Sequence, residues 1–159
     1  MTEGKHPGIA ATPGGREIIV TAMYDAPREK VWRAYTEPDL IKQWWGPRYL
    51  ATIVDKMEVR PGGLWRFIQR DPDGKEFGFH GVYHEVSPPE RIIQTFEFEG
   101  MLGHVSLQTT RLEERDGKTM VTAIAVFETV EDRDGMMSSG MEKGVDEGAE
   151  RLAELLVRI

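Results

Sequence analysis

The stretch GMEKGVDEGAERLAELL, residues 140–156, decides which fold the rest of the chain can adopt. Apolar residues recur here at steps of three and four, which predicts one long amphipathic helix over residues 132–159. Glycines recur every fourth residue at Gly140, Gly144 and Gly148, and each costs about 1 kcal/mol relative to alanine inside a helix. Such glycines indicate close approach of the helix to another part of the protein or to a bound molecule. The apolar stripe consists of Met137, Met141, Val145, Ala149, Leu152, Leu155 and Leu156.

Upstream of this helix the hydrophobic pattern has a period of two, which predicts strands. One strand is predicted at residues 16–24, and six more follow between residues 51 and 128. Short turns join the last six, and the dipeptide Asp116-Gly117 is a strong hairpin signal. Strands joined by hairpins form an antiparallel sheet, and the long helix is the element whose length matches that sheet.

The segment between the first and second strands predicts two short helices, the second of which runs into QWWGP at residues 43–47. The predicted fold is therefore α+β, with a curved seven-stranded antiparallel sheet around a long C-terminal helix and two short helices after the first strand. Residues 1–15 contain four glycines and two prolines and predict a flexible N-terminal tail. Residues 16–159 are predicted to form a single domain.

The composition narrows the classes of partner. The net charge is −7, and Lys and Arg are scattered, so nucleic acid is not the expected partner. No apolar run approaches the roughly 20 residues needed to span a membrane, and the N-terminus lacks a signal-peptide pattern. We therefore expect a cytoplasmic protein without membrane insertion. The absence of cysteine excludes thiol nucleophiles, and no metal site or cofactor is predicted.

Four segments of the chain resemble a known family when taken in this order: VWRAYTEPDLIKQWWGP, RPGGLWRF, GVYHEVSPPERIIQTFEF and GMEKGVDEGAERLAELL. They resemble the activator of heat-shock-protein-90 ATPase homologue family, within the START-like (Bet v 1-like, SRPBCC) superfamily. The resemblance covers approximately residues 16–156. It implies a helix-grip fold with a cavity between the sheet and the long helix. Members of this superfamily bind lipids, steroids, polyketides or other apolar ligands, and a few catalyse cyclisation or hydrolysis.

Aromatic and methionine side chains form the predicted lining of this cavity, because such side chains suit apolar ligands. The alternative is that they only fill the core between sheet and helix. His80 and His84 alternate with Val82 and Val86 on a strand face that we expect to point inwards, so His80 is predicted to supply a polar group. The predicted lining residues are Trp45, Met57, Trp65, Phe67, His80, Phe96, Met137 and Met141.

Within QWWGP, helical spacing places Trp44 on the face of Leu40 and Ile41, whereas Trp45 lies about 100° further round. Trp44 is therefore predicted to anchor the second short helix to the sheet. Trp45 is predicted to close the mouth of the cavity or to belong to the core.

Three functions remain open from the sequence. The first is binding of a small hydrophobic or amphipathic ligand of lipid, polyketide or aromatic type. The second is a cyclase- or hydrolase-type enzyme that uses a pocket histidine and a carboxylate as an acid–base pair. The third is a chaperone-activator-like interaction module, which would require an exposed apolar patch on the outer surface. The eukaryotic co-chaperone of the family has a further N-terminal domain, which we do not expect in this chain, so a chaperone partner is the less favoured expectation.

Overall fold

An antiparallel sheet of eight strands forms the framework of residues 7–159, the part of the chain that this computed structural model describes. The strands are β1 (Gly8–Ala10), β2 (Glu17–Tyr24), β3 (Ala51–Met57), β4 (Leu64–Arg70), β5 (Glu76–Ser87), β6 (Arg91–Phe98), β7 (Val105–Arg115) and β8 (Lys118–Phe127). Their order across the sheet is β1-β2-β8-β7-β6-β5-β4-β3. Strands β3 to β8 therefore follow one another as neighbours, and β2 closes against β8. The predicted α+β helix-grip architecture is confirmed.

Four helices complete the fold: α1 (Arg28–Thr36), α2 (Pro38–Ile41), α3 (Val130–Ser138) and α4 (Met141–Arg158). Pro38 occupies the first turn of α2, where its missing N–H does no harm. The hydroxyl of Thr129 caps α3 by accepting a hydrogen bond of 3.0 Å from the Asp132 amide. None of the helices in residues 7–159 combines the length and the apolarity that crossing a bilayer requires.

The single helix predicted over residues 132–159 is in fact two helices. Gly140 separates them, and its φ of 86° lies in the left-handed region that ends a right-handed helix. The hydroxyl of Ser139 donates to the Met136 carbonyl at 2.7 Å, which closes the last turn of α3. The continuous spacing of apolar residues hid this break, because α4 resumes in the same periodicity at Met141.

The predicted strand count is too low by one. The additional strand, β1, lies within the predicted tail and pairs antiparallel with β2, so that Ile9 faces Val20. Three residues are too few to show a period-two pattern, and this strand exists because the edge of β2 offers unpaired backbone groups. Residues 1–6 of the predicted tail lie outside the described residues, and the domain boundary at residue 16 stays a prediction.

The hydrophobic core occupies one end of the space between the sheet and α4. Leu152, Leu155 and Leu156 of α4 are almost completely buried there, at 0%, 1% and 5% exposure. They belong to one cluster with residues from α1, α2 and the inner face of the sheet. Within that cluster these elements contribute Val31, Ala34, Ile41, Tyr83, Ile92, Leu112 and Val121, and the loop after α2 contributes Trp44.

Candidate functional site

A cavity of about 1040 Å³ occupies the other end of the same space, between the inner face of the sheet and the first half of α4. Side chains of β2, β5, β6, β7 and β8 line one wall, and α3 and α4 line the other. The loop after α2, residues 44–50, closes a third side. We call this segment the WWGP loop. Exposed lining residues such as Tyr49 and Met101 mark where the cavity opens to solvent.

Small residues on both walls explain why the space is hollow. The sheet presents Ala22, Ala123 and Ser106 to the cavity, and α4 presents Gly144 and Gly148. A Cβ at Gly144 would have Pro47 Cδ as its nearest neighbour, at 3.8 Å, and one at Gly148 would lie 3.5 Å from the Trp44 carbonyl oxygen. Both distances are ordinary contacts, so packing does not require glycine at either position. The glycines leave room that larger side chains would fill.

Aromatic rings line the end of the cavity that meets the core. The Trp45 ring packs edge-on against Phe67 and Phe79, with centroids 5.0 and 5.3 Å apart. Phe79 also stacks near Phe96 and Phe98, at 5.6 and 5.1 Å. Phe79, Phe96 and Phe98 line the cavity itself. Such rings give a ligand large, rigid, apolar contact surfaces.

The WWGP loop is attached to α4 by hydrogen bonds. Arg151 donates to the carbonyl oxygens of Gly46 and Pro47, at 3.0 and 3.2 Å. Gly46 has a φ of 90°, and a Cβ there would meet the side-chain nitrogen of Gln69 at 1.9 Å. The positive φ therefore favours glycine at this position, and a side chain there would also displace the Gln69 amide.

The two tryptophans of this loop have different neighbours. Trp44 donates its ring N–H to the Ala34 carbonyl at 2.9 Å and packs on Tyr35, so it holds the loop against α1. Trp45 is the residue that packs on the sheet, through Phe67 and Phe79. Trp44 is buried in the core cluster, and its hydrogen bond and ring contact are with α1. Its anchoring of α2 to the sheet stays a prediction.

The polar groups inside the cavity are neutral. Burial raises the pKa of Tyr24 well above its ordinary value, and the nearby Tyr35 adds to the effect. Burial also raises the pKa of Tyr35. Both phenols are therefore uncharged at physiological pH. The Gln69 amide donates to the Trp45 carbonyl at 3.3 Å, and the hydroxyl of Ser106 completes this neutral set.

Charged groups lie at the rim. The ring nitrogen Nδ1 of His104 is 2.8 Å from Oδ1 of Asp132, and both residues line the cavity. The His104 side chain is half exposed, whereas that of Asp132 is 18% exposed. Glu131 and Lys143 complete the charged lining. A ligand in the cavity would therefore meet apolar and neutral polar groups inside and charges only near the opening.

The predicted lining residues fall into three groups. Trp45, Phe96 and Met141 line the cavity. Trp65 and Phe67 lie behind Trp45 in the core, each 2% exposed, and do not belong to the lining. The remaining three lie elsewhere: Met57 packs at the edge of the core, Met137 is 38% exposed while its neighbour Met136 lines the cavity, and His80 lies on the outer face of the sheet.

The inward placement of His80 is wrong. In the register of β4 and β5, the inward Phe79 pairs with Phe67, which places His80 beside Arg66 on the outer face. The prediction inferred the inward face from Val82 and Val86 together. However, the pairing of β5 with β6 shifts between Tyr83 and Glu85, so Val86 packs on the core although Val82 does not. A strand irregularity of this kind inverts the alternation of side chains.

On the outer face His80 belongs to an ionic network. Its Nδ1 lies 2.9 Å from a Glu99 oxygen and its Nε2 lies 3.0 Å from Glu97. Hydrogen bonding to Glu99 is the largest cause that raises the pKa of His80. Desolvation opposes it, and hydrogen bonding to Glu97 adds to the increase. Arg66 binds both oxygens of Glu99 and is the main cause that lowers the pKa of Glu99 to about 2. This network stabilises the sheet surface and has no access to the cavity.

Sequence reasoning missed the polar residues that the cavity does contain. His104, Ser106 and Asp132 come from β7, the turn before it, and the start of α3, so no short motif unites them. A usable signal was present for Ser106, since its alternation with Leu112 predicts an inward position once the Asp116-Gly117 hairpin is accepted. No local signal joined His104 to Asp132, which lies 28 residues further along the chain.

Similarity to known proteins agrees with this architecture. A protein from Rhodobacter sphaeroides has a TM-score of 0.89 at 26% identity, with 97% of this chain and 99% of that chain covered. Protein Ms6760 from Mycobacterium smegmatis has a TM-score of 0.85 at 22% identity, with 94% and 95% covered. DynU16, a protein of the dynemicin biosynthetic locus, has a TM-score of 0.67 at 19% identity, with 89% and 47% covered. At 22% and 19% identity, the similarities to Ms6760 and DynU16 show the fold alone. No curated protein matches the chain significantly.

The family assignment comes from the sequence over most of its length. Residues 25–157, from the start of α1 to the end of α4, match the family described as Activator of Hsp90 ATPase homolog 1-like protein. The matched part contains the cavity walls from α1 onwards, the WWGP loop and both C-terminal helices. The chain therefore belongs to the Activator of Hsp90 ATPase homolog 1-like family, with the Bet v 1-like fold of the SRPBCC superfamily.

Proposed function

We propose that this protein binds a small and mainly apolar ligand in the cavity between the sheet and α4. The observation that carries the proposal is the cavity of about 1040 Å³, whose aromatic walls enclose neutral polar groups. Pockets for small molecules have volumes of about 300–1,000 Å³ and are mostly apolar with a few convergent polar groups. This cavity is at the upper end of that range, so a ligand of several fused rings or a folded chain would fit.

The small residues on both walls favour ligand binding over a merely imperfect core. Two glycines within α4 reduce helix stability by about 1 kcal/mol each, and unfilled apolar space costs further free energy. At Gly144 the single neighbour of an added Cβ lies 3.8 Å away, so packing does not compensate the cost there, whereas Gly148 is buried against the WWGP loop. A bound ligand would supply the missing contacts. DynU16 belongs to a natural-product locus, but at 19% identity the ligand class proposed here rests on the chemistry of the cavity.

Titration with the neutral fluorescent probe N-phenyl-1-naphthylamine tests the proposal. Ala123 lies on the cavity wall, and Ala123→Phe should fill part of the space and weaken binding at least tenfold. The matched control is Thr122→Phe, one residue away on β8 and on the opposite face, which should bind like the wild type. Circular dichroism would verify that both variants fold. Failure of the wild type to bind, or equal binding by a folded Ala123→Phe variant, would refute the proposal.

A second candidate function is acid–base chemistry on the bound ligand. The observation that favours it is the His104–Asp132 pair on the cavity wall. A carboxylate on Nδ1 fixes the imidazole tautomer that carries its proton there, and Nε2 then has a lone pair available to accept a proton from the ligand. In this second candidate function, His104 replaces His80 as the pocket histidine of the acid–base pair.

This second function has its own test, which is proton exchange in a ketone. The protein is incubated with 2-tetralone in D₂O, and exchange of the protons beside the carbonyl is followed by NMR. Transfer of such a proton to Nε2 leaves an enolate, which takes back a deuteron. The wild type should accelerate exchange, and His104→Gln should abolish the acceleration while leaving probe binding intact. Equal rates for wild type and variant would exclude this chemistry.

A further inference from the structure

Ser106 is unusual among the buried polar groups. Its side chain is 3% exposed, and its Oγ is the one buried side-chain nitrogen or oxygen within residues 7–159 that has no hydrogen-bond partner. Buried hydroxyls are nearly always bonded, because a hydroxyl removed from water without a partner loses its full hydration. By contrast, the completely buried hydroxyl of Thr119 donates to the Ala26 carbonyl at 2.7 Å.

The surroundings of Ser106 make this exception informative. Across the sheet it pairs with Phe96 of β6 on one side and with Phe127 of β8 on the other, and all three residues line the cavity. A single hydroxyl is thus placed between two aromatic residues on the wall. Alanine at this position would satisfy packing equally well and would avoid the desolvation. Ser106 lines the cavity, so a partner for this hydroxyl would come from the space that the ligand is proposed to occupy.

We infer that Ser106 is the polar anchor of the cavity and that it selects ligands whose apolar, aromatic body carries a neutral hydroxyl or carbonyl group. This inference rests on the proposed ligand binding and specifies its substrate class. A serine hydroxyl can donate to a carbonyl or accept from a hydroxyl, so either group completes it. A carboxylate is disfavoured, because Lys143 at the rim is the one Lys or Arg in the lining and a buried charge without a partner is costly.

Ser106 is not placed as an activated nucleophile. Its Oγ has no bonded base, although His104 lies only two residues before it and lines the same cavity. In a Ser-His-Asp arrangement the imidazole would hold the serine proton directly. The hydroxyl is therefore available to the ligand, and the His104–Asp132 pair lies further towards the opening.

Calorimetric titration with two nearly isosteric probes tests the inference. 2-Naphthol carries the hydroxyl, and 2-methylnaphthalene replaces it with a methyl group. Measuring both probes with the wild type and with Ser106→Ala cancels their different hydrophobicity. The ratio of affinities for 2-naphthol over 2-methylnaphthalene should fall about 5- to 100-fold in the variant. Ser106→Thr, which keeps the hydroxyl, should retain most of the preference.

The outcomes separate this inference from the cavity itself. If both probes bind and their ratio is the same in wild type and Ser106→Ala, the anchor role is refuted while ligand binding stands. Tighter binding of 2-naphthoate than of 2-naphthol would also refute it, since that preference requires a cation. If neither naphthalene binds but N-phenyl-1-naphthylamine does, the selectivity assigned to Ser106 is wrong. If no probe binds, the proposed function fails and this inference fails with it.

Discussion

The two halves of α4 face the same sheet with opposite results. Residues 149–156 present three leucines that are 0–5% exposed and fill the core. Residues 141–148 present Gly144 and Gly148, and the space beside them is a cavity. The helix is continuous and the same sheet lies opposite both halves, so the difference follows from side-chain volume and from the α1 and α2 residues that pack beside the second half. It teaches that one amphipathic stripe can be a core at one end and a cavity wall at the other.

The largest change in stability is expected from residues 149–156, the filled half of α4. Leu152 is 0% exposed, and Leu152→Ala should lower the free energy of unfolding by about 2–5 kcal/mol through lost burial and the void it leaves. Urea denaturation measures this. Val157 on the same helix is 87% exposed, so Val157→Ala should change stability by less than about 0.5 kcal/mol. Similar values for the two variants would mean that this half is not a core.

The wall opposite the hollow half should respond in the other direction. Ser106→Ala removes an unbonded buried hydroxyl and should raise the free energy of unfolding of the ligand-free protein by about 1 kcal/mol. Thr119→Val is the matched control, because it leaves the Ala26 carbonyl without its partner and should destabilise. Thermal unfolding compares both. A loss of stability in Ser106→Ala would show that the hydroxyl has a structural partner.

Two glycines extend the comparison: Gly144 in residues 141–148, the hollow half of α4, and Gly140 directly before the helix. Gly144→Ala should stabilise α4 by up to about 1 kcal/mol, because no backbone strain or clash opposes the added methyl group. Gly140→Ala should destabilise by about 1–2 kcal/mol, since its φ of 86° is unfavourable for any residue with a Cβ. Urea denaturation measures both changes. The same sign for both variants would contradict the assigned roles.

The smallest effect is expected on the outer face, which is remote from both halves of α4. The pKa of His80 is raised in the folded protein, so protonation of His80 favours folding. This contribution is complete below the unfolded pKa of about 6.5 and is lost as pH rises through the higher folded value. Stability should therefore decrease as pH rises above about 6.5, and only modestly, because the side chain is 35% exposed and partly screened by solvent.

A matched variant isolates that contribution. His80→Gln should remove this part of the pH dependence and leave probe binding unchanged. Denaturation of wild type and variant across the same pH range measures the difference between their stabilities. The other histidines are the same in both proteins, so their effects cancel. An equal slope in the variant would assign the pH dependence elsewhere. A change in probe affinity would place His80 in contact with the cavity after all.

Much of the fold could be predicted because its signals are local. The hairpin at Asp116-Gly117 has φ values of 55° and 78°, the left-handed conformation that this dipeptide favours, and Arg115 pairs with Lys118 across it. The stripe of α4 and the strand alternation are equally local. The errors arose where a distant partner decides. The edge of β2 makes β1 a strand, and the register shift in β5 reverses the face of Val86 relative to His80.

The candidate site divides in the same way. Trp45, Phe96 and Met141 could be predicted as lining, since their residue types and positions indicate a cavity wall. His104 and Asp132 could not, because a contact between β7 and α3 has no signature in either segment. Trp65 and Phe67 show the converse, because residues suited to a lining were covered by the ring of Trp45.

The sequence by itself determined where strands turn, which residues alternate, and that one amphipathic helix would cover an antiparallel sheet. Only the tertiary structure decided that the helix leaves part of the inner face of the sheet uncovered. The volume of a cavity is the space left between two surfaces that meet from distant parts of the chain. Alanines on β2 and β8 and glycines on α4 are each unremarkable within their own segment. They enclose a cavity because the fold places them opposite one another, with Ser106 on the wall between.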